Sequence, residues 1–210
     1  MHYNFIAIEG NIGSGKTSLA KMLGEDMKAS LILEEFADNP FLPKFYKNPE
    51  KYAFPLELSF LAERYHQLKE RLANTSLFSE LIVSDYYIAK SMIFSRTNLS
   101  KDEYRLFQKM FEIMDANLPR PDLLVYLYKD IDLLQENIKK RGRHYEQKIP
   151  DEYLIKVQES YLNYIRQNAK MPVLVIDTNK LDFVENPQDY ERLHYLLSQR
   201  YAPGMNHITA

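Results

Sequence analysis

The sequence predicts an α/β protein of three layers, a five-stranded parallel sheet flanked by helices on both faces. Apolar runs of strand length, without alternation, suit strands buried on both sides. Helical stretches separate them, and a glycine-rich octet joins the first run to the first helix. The first run is Asn4 to Glu9, "NFIAIE", and "TSLAKMLGEDM" after the octet has helical spacing. Four more runs rich in branched or aromatic residues follow: "SLILEE" (30–35), "ELIVSD" (80–85), "DLLVYLY" (122–128) and "PVLVID" (172–177). The clearest helix covers about Phe54 to Leu72, because Phe54, Leu58, Leu61, Tyr65, Leu68 and Leu72 recur at steps of four and three. The loop "ADNPFLPKFYKNPEKY" is too aromatic for a disordered linker and is expected to pack over something.

Length and composition are those of one globular domain spanning residues 1–210, with 45% hydrophobic and 27% charged residues. A net charge of -2 argues against a protein that coats a nucleic acid polymer. No apolar run is long enough for a membrane span, and the N-terminus lacks a signal-peptide pattern, so a cytoplasmic protein is expected. The absence of cysteine excludes disulfides and thiolate metal sites, and the five histidines show no close ligand spacing.

The octet Gly10-Asn11-Ile12-Gly13-Ser14-Gly15-Lys16-Thr17, with Ser18 after it, has the spacing Gly-x-x-x-x-Gly-Lys-Thr between a strand and a helix. Glycines in that order let backbone N–H groups wrap phosphates, Lys16 reaches the outer ones, and Thr17 offers a hydroxyl to Mg2+. The helix N-terminus adds a favourable field. Asn179-Lys180-Leu181-Asp182 fits the Asn-Lys-x-Asp pattern of guanine readers, but no Asp-x-x-Gly accompanies it, and the match reads as a false positive.

Beyond the octet, "LEEFADNPFLPKFY", "YKNPEKYAFPLE", "KKRGRHYEQKIPDEYL" and "DTNKLDF" make almost the whole chain resemble the deoxyribonucleoside kinases. The resemblance implies a P-loop kinase fold with a mobile arginine-rich lid at about 139–150. It implies transfer of phosphate from ATP, with Mg2+, to the 5′-hydroxyl of a deoxyribonucleoside in nucleotide salvage, by a homodimer. Glu34 falls at the family's general-base position, and strand alternation turns Glu35 to the opposite face. Tyr46 and Glu146 match residues that hold the sugar 3′-hydroxyl. Glu57 and Arg64 match base contacts; seven residues apart, they stand about 10 Å apart along a helix and form no i,i+4 pair. Glu57 stands where glutamine is common, and an ionised carboxylate only accepts, which favours purine or cytosine nucleosides over thymidine.

Asp85 matches the acidic residue at the third strand end, able to contact substrate or to orient Mg2+ through water. Tyr86 replaces the arginine that normally follows, and the lid arginines are the expected substitutes. Arg141 and Arg143 sit where cations suit a helix end even without function. The resemblance implies instead that they close on the triphosphate, and Gly142 between them is a poor choice for a merely structural helix end. Asp182 and Phe183 match the loop that packs against the donor adenine. Two readings compete with this one: a thymidylate-type nucleoside monophosphate kinase, and a nucleotide-sensing protein that binds ATP without transfer.

Overall fold

A computed structural model describes residues 2–35, 39–73, 81–168 and 170–209, with only the backbone described at Asn168. Phe36 to Asp38 of the aromatic loop, and Glu80 at the start of the third run, lie outside the described residues.

The chain runs β1 (Phe5–Gly10), α1 (Lys16–Met27), β2 (Ser30–Ile32), α2 (Leu42–Lys47), α3 (Pro49–Ala73), β3 (Ile82–Ser84) and α4 (Ala89–Asn98). It continues through α5 (Lys101–Asp115), β4 (Leu123–Tyr128), α6 (Ile131–Arg141), α7 (Asp151–Asn168), β5 (Pro172–Asp177), α8 (Pro187–Leu197) and β6 (Gly204–Thr209). The sheet order is β2-β3-β1-β4-β5-β6, and every pairing is parallel.

Alternation along β1 divides the core. Phe5 and Ala7 join a cluster with Leu61 of α3, Phe107 of α5 and Tyr161 of α7. Ile6 and Ile8 pack with Leu19 of α1 and Leu193 of α8 on the other face. Side chains at successive strand positions point to opposite faces, so an unbroken apolar run is what a sheet covered on both sides requires.

The five expected strands are present, and β6 makes a sixth. Its "GMNHIT" alternates half-buried and exposed positions at the sheet edge, so its sequence carries no apolar run. β2 ends at Ile32, opposite the end of β3 at Ser84. Glu34 and Glu35 therefore lie past the strand, yet they still diverge: Glu34 enters the core side, and Glu35 is exposed beside Gln67. Helix α3 starts at Pro49 rather than Phe54, with proline in its first turn, where a missing N–H costs nothing. The aromatic loop forms α2, whose Phe45 packs with Ala53 and Leu56 of α3.

Candidate active site

The carboxyl ends of β1, β2 and β3 bring the singled-out residues to one pocket. Its wall includes Lys16, Thr17, Glu34, Glu57 and Arg64, together with Tyr46, Arg141, Arg143 and Glu146. Ligands of open α/β sheets bind at this end of the strands.

The phosphate side is a braced turn. Asn11 Nδ2 donates to the Leu154 carbonyl at 2.8 Å, and Asn137 Nδ2 donates to the Gly13 carbonyl at 2.7 Å, so α6 and α7 hold the loop. Gly15, at φ +92°, is the N-cap of α1 and makes no side-chain cap bond. A Cβ on Gly15 would meet Phe183 Cζ at 2.7 Å, and one on Gly13 would meet the Leu134 carbonyl at 2.7 Å. Only glycine keeps this path at those positive φ values. The Lys16 ammonium donates to the Asn11 carbonyl at 2.7 Å. Burial, and then the neighbouring Lys90, push it down to about 7. An uncapped helix start and a cation held down by its surroundings fit a bound polyphosphate.

Thr17 Oγ1 donates to Asp85 Oδ2, while Asp85 Oδ1 accepts the Glu34 N–H at 2.7 Å. The hydroxyl and carboxylate form an oxygen donor pair suited to Mg2+. Both Asp85 oxygens are engaged, and the residue stands behind Thr17 rather than on the pocket wall.

The acceptor side centres on Glu34. Its Oε1 accepts Arg64 Nε at 2.9 Å and Nη2 at 2.6 Å, and its Oε2 accepts Lys90 Nζ at 2.6 Å. Burial pushes this carboxyl up, but Lys90 and Arg64 outweigh it and hold the group well below the usual carboxylate range. The third Arg64 donor, Nη1, goes to Ser91 Oγ at 2.8 Å. Arg64, expected at the base, lines the pocket and also clamps Glu34, because a planar fork meets a carboxylate best through two N–H groups. Glu57 is separate from it, with Oε1 accepting Asn98 Nδ2 at 2.6 Å.

In the lid, Arg141 Nη2 donates to Glu146 Oε2 and Arg143 Nη1 donates to Glu146 Oε1 at 3.2 Å. Tyr46 stacks on Tyr145 with ring centroids 5.9 Å apart. Gly142 is the left-handed C-cap of α6 at φ +74°, its N–H bonded to the Ile138 carbonyl. A helix end of this kind calls for glycine, so Gly142 is explained structurally and gives no support to a lid function.

Phe183 is buried against the phosphate loop. Asp182 sits beside it in a turn, its N–H donating to Asp189 Oδ2 at 2.8 Å. Asn179 Oδ1 accepts the Asp130 N–H at 2.8 Å, tying two loops together, which accounts for the false guanine-reader match. Ser18 is exposed on the first turn of α1.

Sequence reasoning missed Lys90, Ser91, Asn98 and Tyr153. Tyr86 is fully buried and its hydroxyl donates to Gln67 Oε1, away from the pocket. The cations on Glu34 are Arg64 and Lys90, the latter one turn into the following segment, whereas both lid arginines pair with Glu146. A lone lysine in "DYYIAKS" matches no motif; only the spacing from Asp85 could have pointed to it.

A family model described as "Deoxynucleoside kinase" matches residues 6–199. The chain is 37% identical over 193 residues to a deoxyguanosine kinase of Bacillus subtilis (strain 168), covering 90% of this chain and 93% of that protein. It is 30% identical over 194 residues to a deoxyadenosine/deoxycytidine kinase of the same organism, covering 90% and 89%. A solved deoxyadenosine kinase from M. mycoides, with products dCMP and a flexible dCDP bound, is similar at a TM-score of 0.80 and 25% identity. That likeness covers 92% of this chain and 98% of the other.

Proposed function

The chain belongs to the deoxynucleoside kinase family and phosphorylates the 5′-hydroxyl of a deoxynucleoside, and on that premise we propose that it moves the γ-phosphate of ATP to a purine deoxynucleoside or deoxycytidine in preference to thymidine. The observation that carries the reading is Glu34, which lines one pocket together with Lys16, Thr17 and Glu57. A sugar hydroxyl beside Glu34 lies between a carboxylate that accepts its proton and the cradle that presents the phosphate. In-line phosphoryl transfer depends mostly on this positioning and on charge stabilisation, so a weakly basic carboxylate suffices.

Residues 10–18 hold the phosphates, and Asp182 with Phe183 lies where the donor adenine would pack. Thr17 and Asp85 would hold Mg2+, which when bound neutralises charge on the phosphates. Tyr46 and Glu146 grip the sugar, Arg141 and Arg143 close over the phosphates, and Lys90 supplies the cation absent at Tyr86. We read residues 1–210 as one kinase domain, with its lid at about 139–150. Among the described residues no helix is long and apolar enough to cross a membrane, and the reading is of a cytoplasmic salvage enzyme acting on small molecules. Exposed Leu106 and Ile113 on α5 offer apolar surface for the homodimer the family implies.

Incubation of γ-labelled ATP with each of the four deoxynucleosides tests this. Label in the 5′-monophosphate of deoxyguanosine, deoxyadenosine or deoxycytidine is expected. Label in none of them refutes it, and transfer only to a monophosphate acceptor favours the thymidylate-type alternative.

A further inference from the structure

Glu57 is almost fully buried on α3, and its two oxygens differ. Oε1 is occupied by the Asn98 amide at 2.6 Å. Oε2 is a buried polar atom without a hydrogen-bond partner among the described residues. Arg64, on the same helix, donates to Glu34 and Ser91 rather than to Glu57. The pocket that Glu57 lines also presents Phe45, Leu56, Phe60 and Phe94, apolar faces suited to a flat heterocycle, beside the polar groups of Arg64, Asn98 and Tyr153. A buried oxygen in such a place takes its partner from the ligand.

What it offers depends on its proton. Ionised, Oε2 accepts, and it matches the N1–H of guanine. Neutral, the acid carries its hydrogen on Oε2, because the Asn98 donor already occupies Oε1; it then donates, and it matches the bare N1 of adenine. Resting on the kinase reading above, we propose that Glu57 selects the purine by its own protonation state, taking deoxyguanosine when ionised and deoxyadenosine when neutral.

The surroundings put both forms within reach near neutrality. Burial raises the Glu57 carboxyl to about 7, against the Asn98 hydrogen bond and the charge of Arg64, with Glu34 adding to the rise and Lys90 opposing it. From α7, Tyr153 faces both Glu57 and Asn98, and burial pushes its hydroxyl well above the ordinary tyrosine value, so it is neutral here. Glu34 stays ionised and Arg64 charged throughout this range. Farther along the pocket stand Tyr46, Arg141, Arg143 and Glu146. Lys16 also titrates near 7, but it serves the phosphate side, so its effect is common to both nucleosides and cancels in their ratio.

The test is a competition, with deoxyguanosine and deoxyadenosine present together under saturating ATP and the two monophosphates quantified. The guanine-to-adenine product ratio should rise with pH, by about 100-fold between about pH 6 and about pH 8 if selection is strict, since each unit changes the ionised-to-neutral ratio tenfold. In Glu57→Gln the amide is a fixed donor at that position, so adenine should be favoured and the ratio should not move with pH. A flat ratio in the unmodified protein, or a rise that persists in Glu57→Gln, overturns the proposal. Calorimetry on the unmodified protein, in buffers of different ionisation enthalpy, gives a second reading that needs no variant. Near pH 7 deoxyadenosine should bind with proton uptake and deoxyguanosine with release; identical proton counts overturn the proposal. Phosphorylation of neither nucleoside at any pH would refute the kinase reading, while the proton counts would still decide the role of Glu57.

Discussion

Replacing Lys90 by methionine removes one of the two cations on Glu34 while keeping the length and apolar stem of the side chain. The ammonium lies 2.6 Å from Glu34 Oε2 in a buried position. Stripping one partner from a buried ion pair costs about 3–5 kcal/mol, and the remaining Arg64 clamp at 2.6 and 2.9 Å places this case at the low end, about 3 kcal/mol. If Lys90 also meets charge developing on the transferred phosphate, kcat falls by about 10²–10³, the usual loss of one such donor. Lys90→Arg should restore part of the rate. A second readout is pH. The Lys16 ammonium is held near 7, below the ordinary lysine value of 10.5, first by burial and next by Lys90. Between those values the unfolded chain binds a proton that the folded one lacks, so stability without ligand rises with pH across that window. Lys90→Met should shrink that rise. Steady-state kinetics with separate kcat and KM, beside thermal melts, measure all of this. A folded Lys90→Met with unchanged kcat would refute the reasoning and leave Lys90 as a counterion of Glu34 alone.

Two further outcomes follow from other buried acids. Glu57 has a raised folded value of about 7 against the ordinary 4.5, so its contribution is fully present below 4.5 and is lost as pH rises through 7. Glu57→Gln should therefore stabilise the protein by up to about 3 kcal/mol at about pH 8 and by little at about pH 5; equal effects at both would contradict the buried carboxyl. Glu146→Gln loosens both Arg141 and Arg143 from the lid. It should raise the KM for the nucleoside several-fold, by about 1 kcal/mol of lost hydrogen bonding, and an unchanged KM would remove Glu146 from the sugar site.

The sheet was legible because strands covered on both faces are largely apolar, as β1, β4 and β5 are, and because β2 and β3, only three residues each, sit inside longer apolar runs. β6 escaped because an edge strand with alternating exposure looks like loop. The phosphate cradle was legible for the opposite reason: wrapping phosphate requires glycine and lysine at fixed spacing along the chain, and Gly13 and Gly15 take the positive φ that only such residues tolerate. The acceptor side was harder, since its chemistry is assembled from separate elements. Glu34 was placed by resemblance, but Lys90 reaches it, and Ser91 reaches its partner Arg64, only because α4 folds back beside α3. The same packing set Arg64 as a clamp on Glu34, which the sequence did not show, and left Asn98 as the partner of Glu57. Gly142 shows the reverse case, a glycine taken as support for a lid when its left-handed backbone at the end of α6 accounts for it.

The central claim is that Glu34 serves the acceptor hydroxyl while Lys16 and its loop serve the donor. Single-turnover transfer by Glu34→Gln, with ATP affinity measured separately, tests it most directly. Transfer should slow by about 10²–10⁴, the usual worth of a positioned base, with ATP affinity nearly unchanged. Transfer at the original rate, or a loss confined to ATP binding, would contradict it.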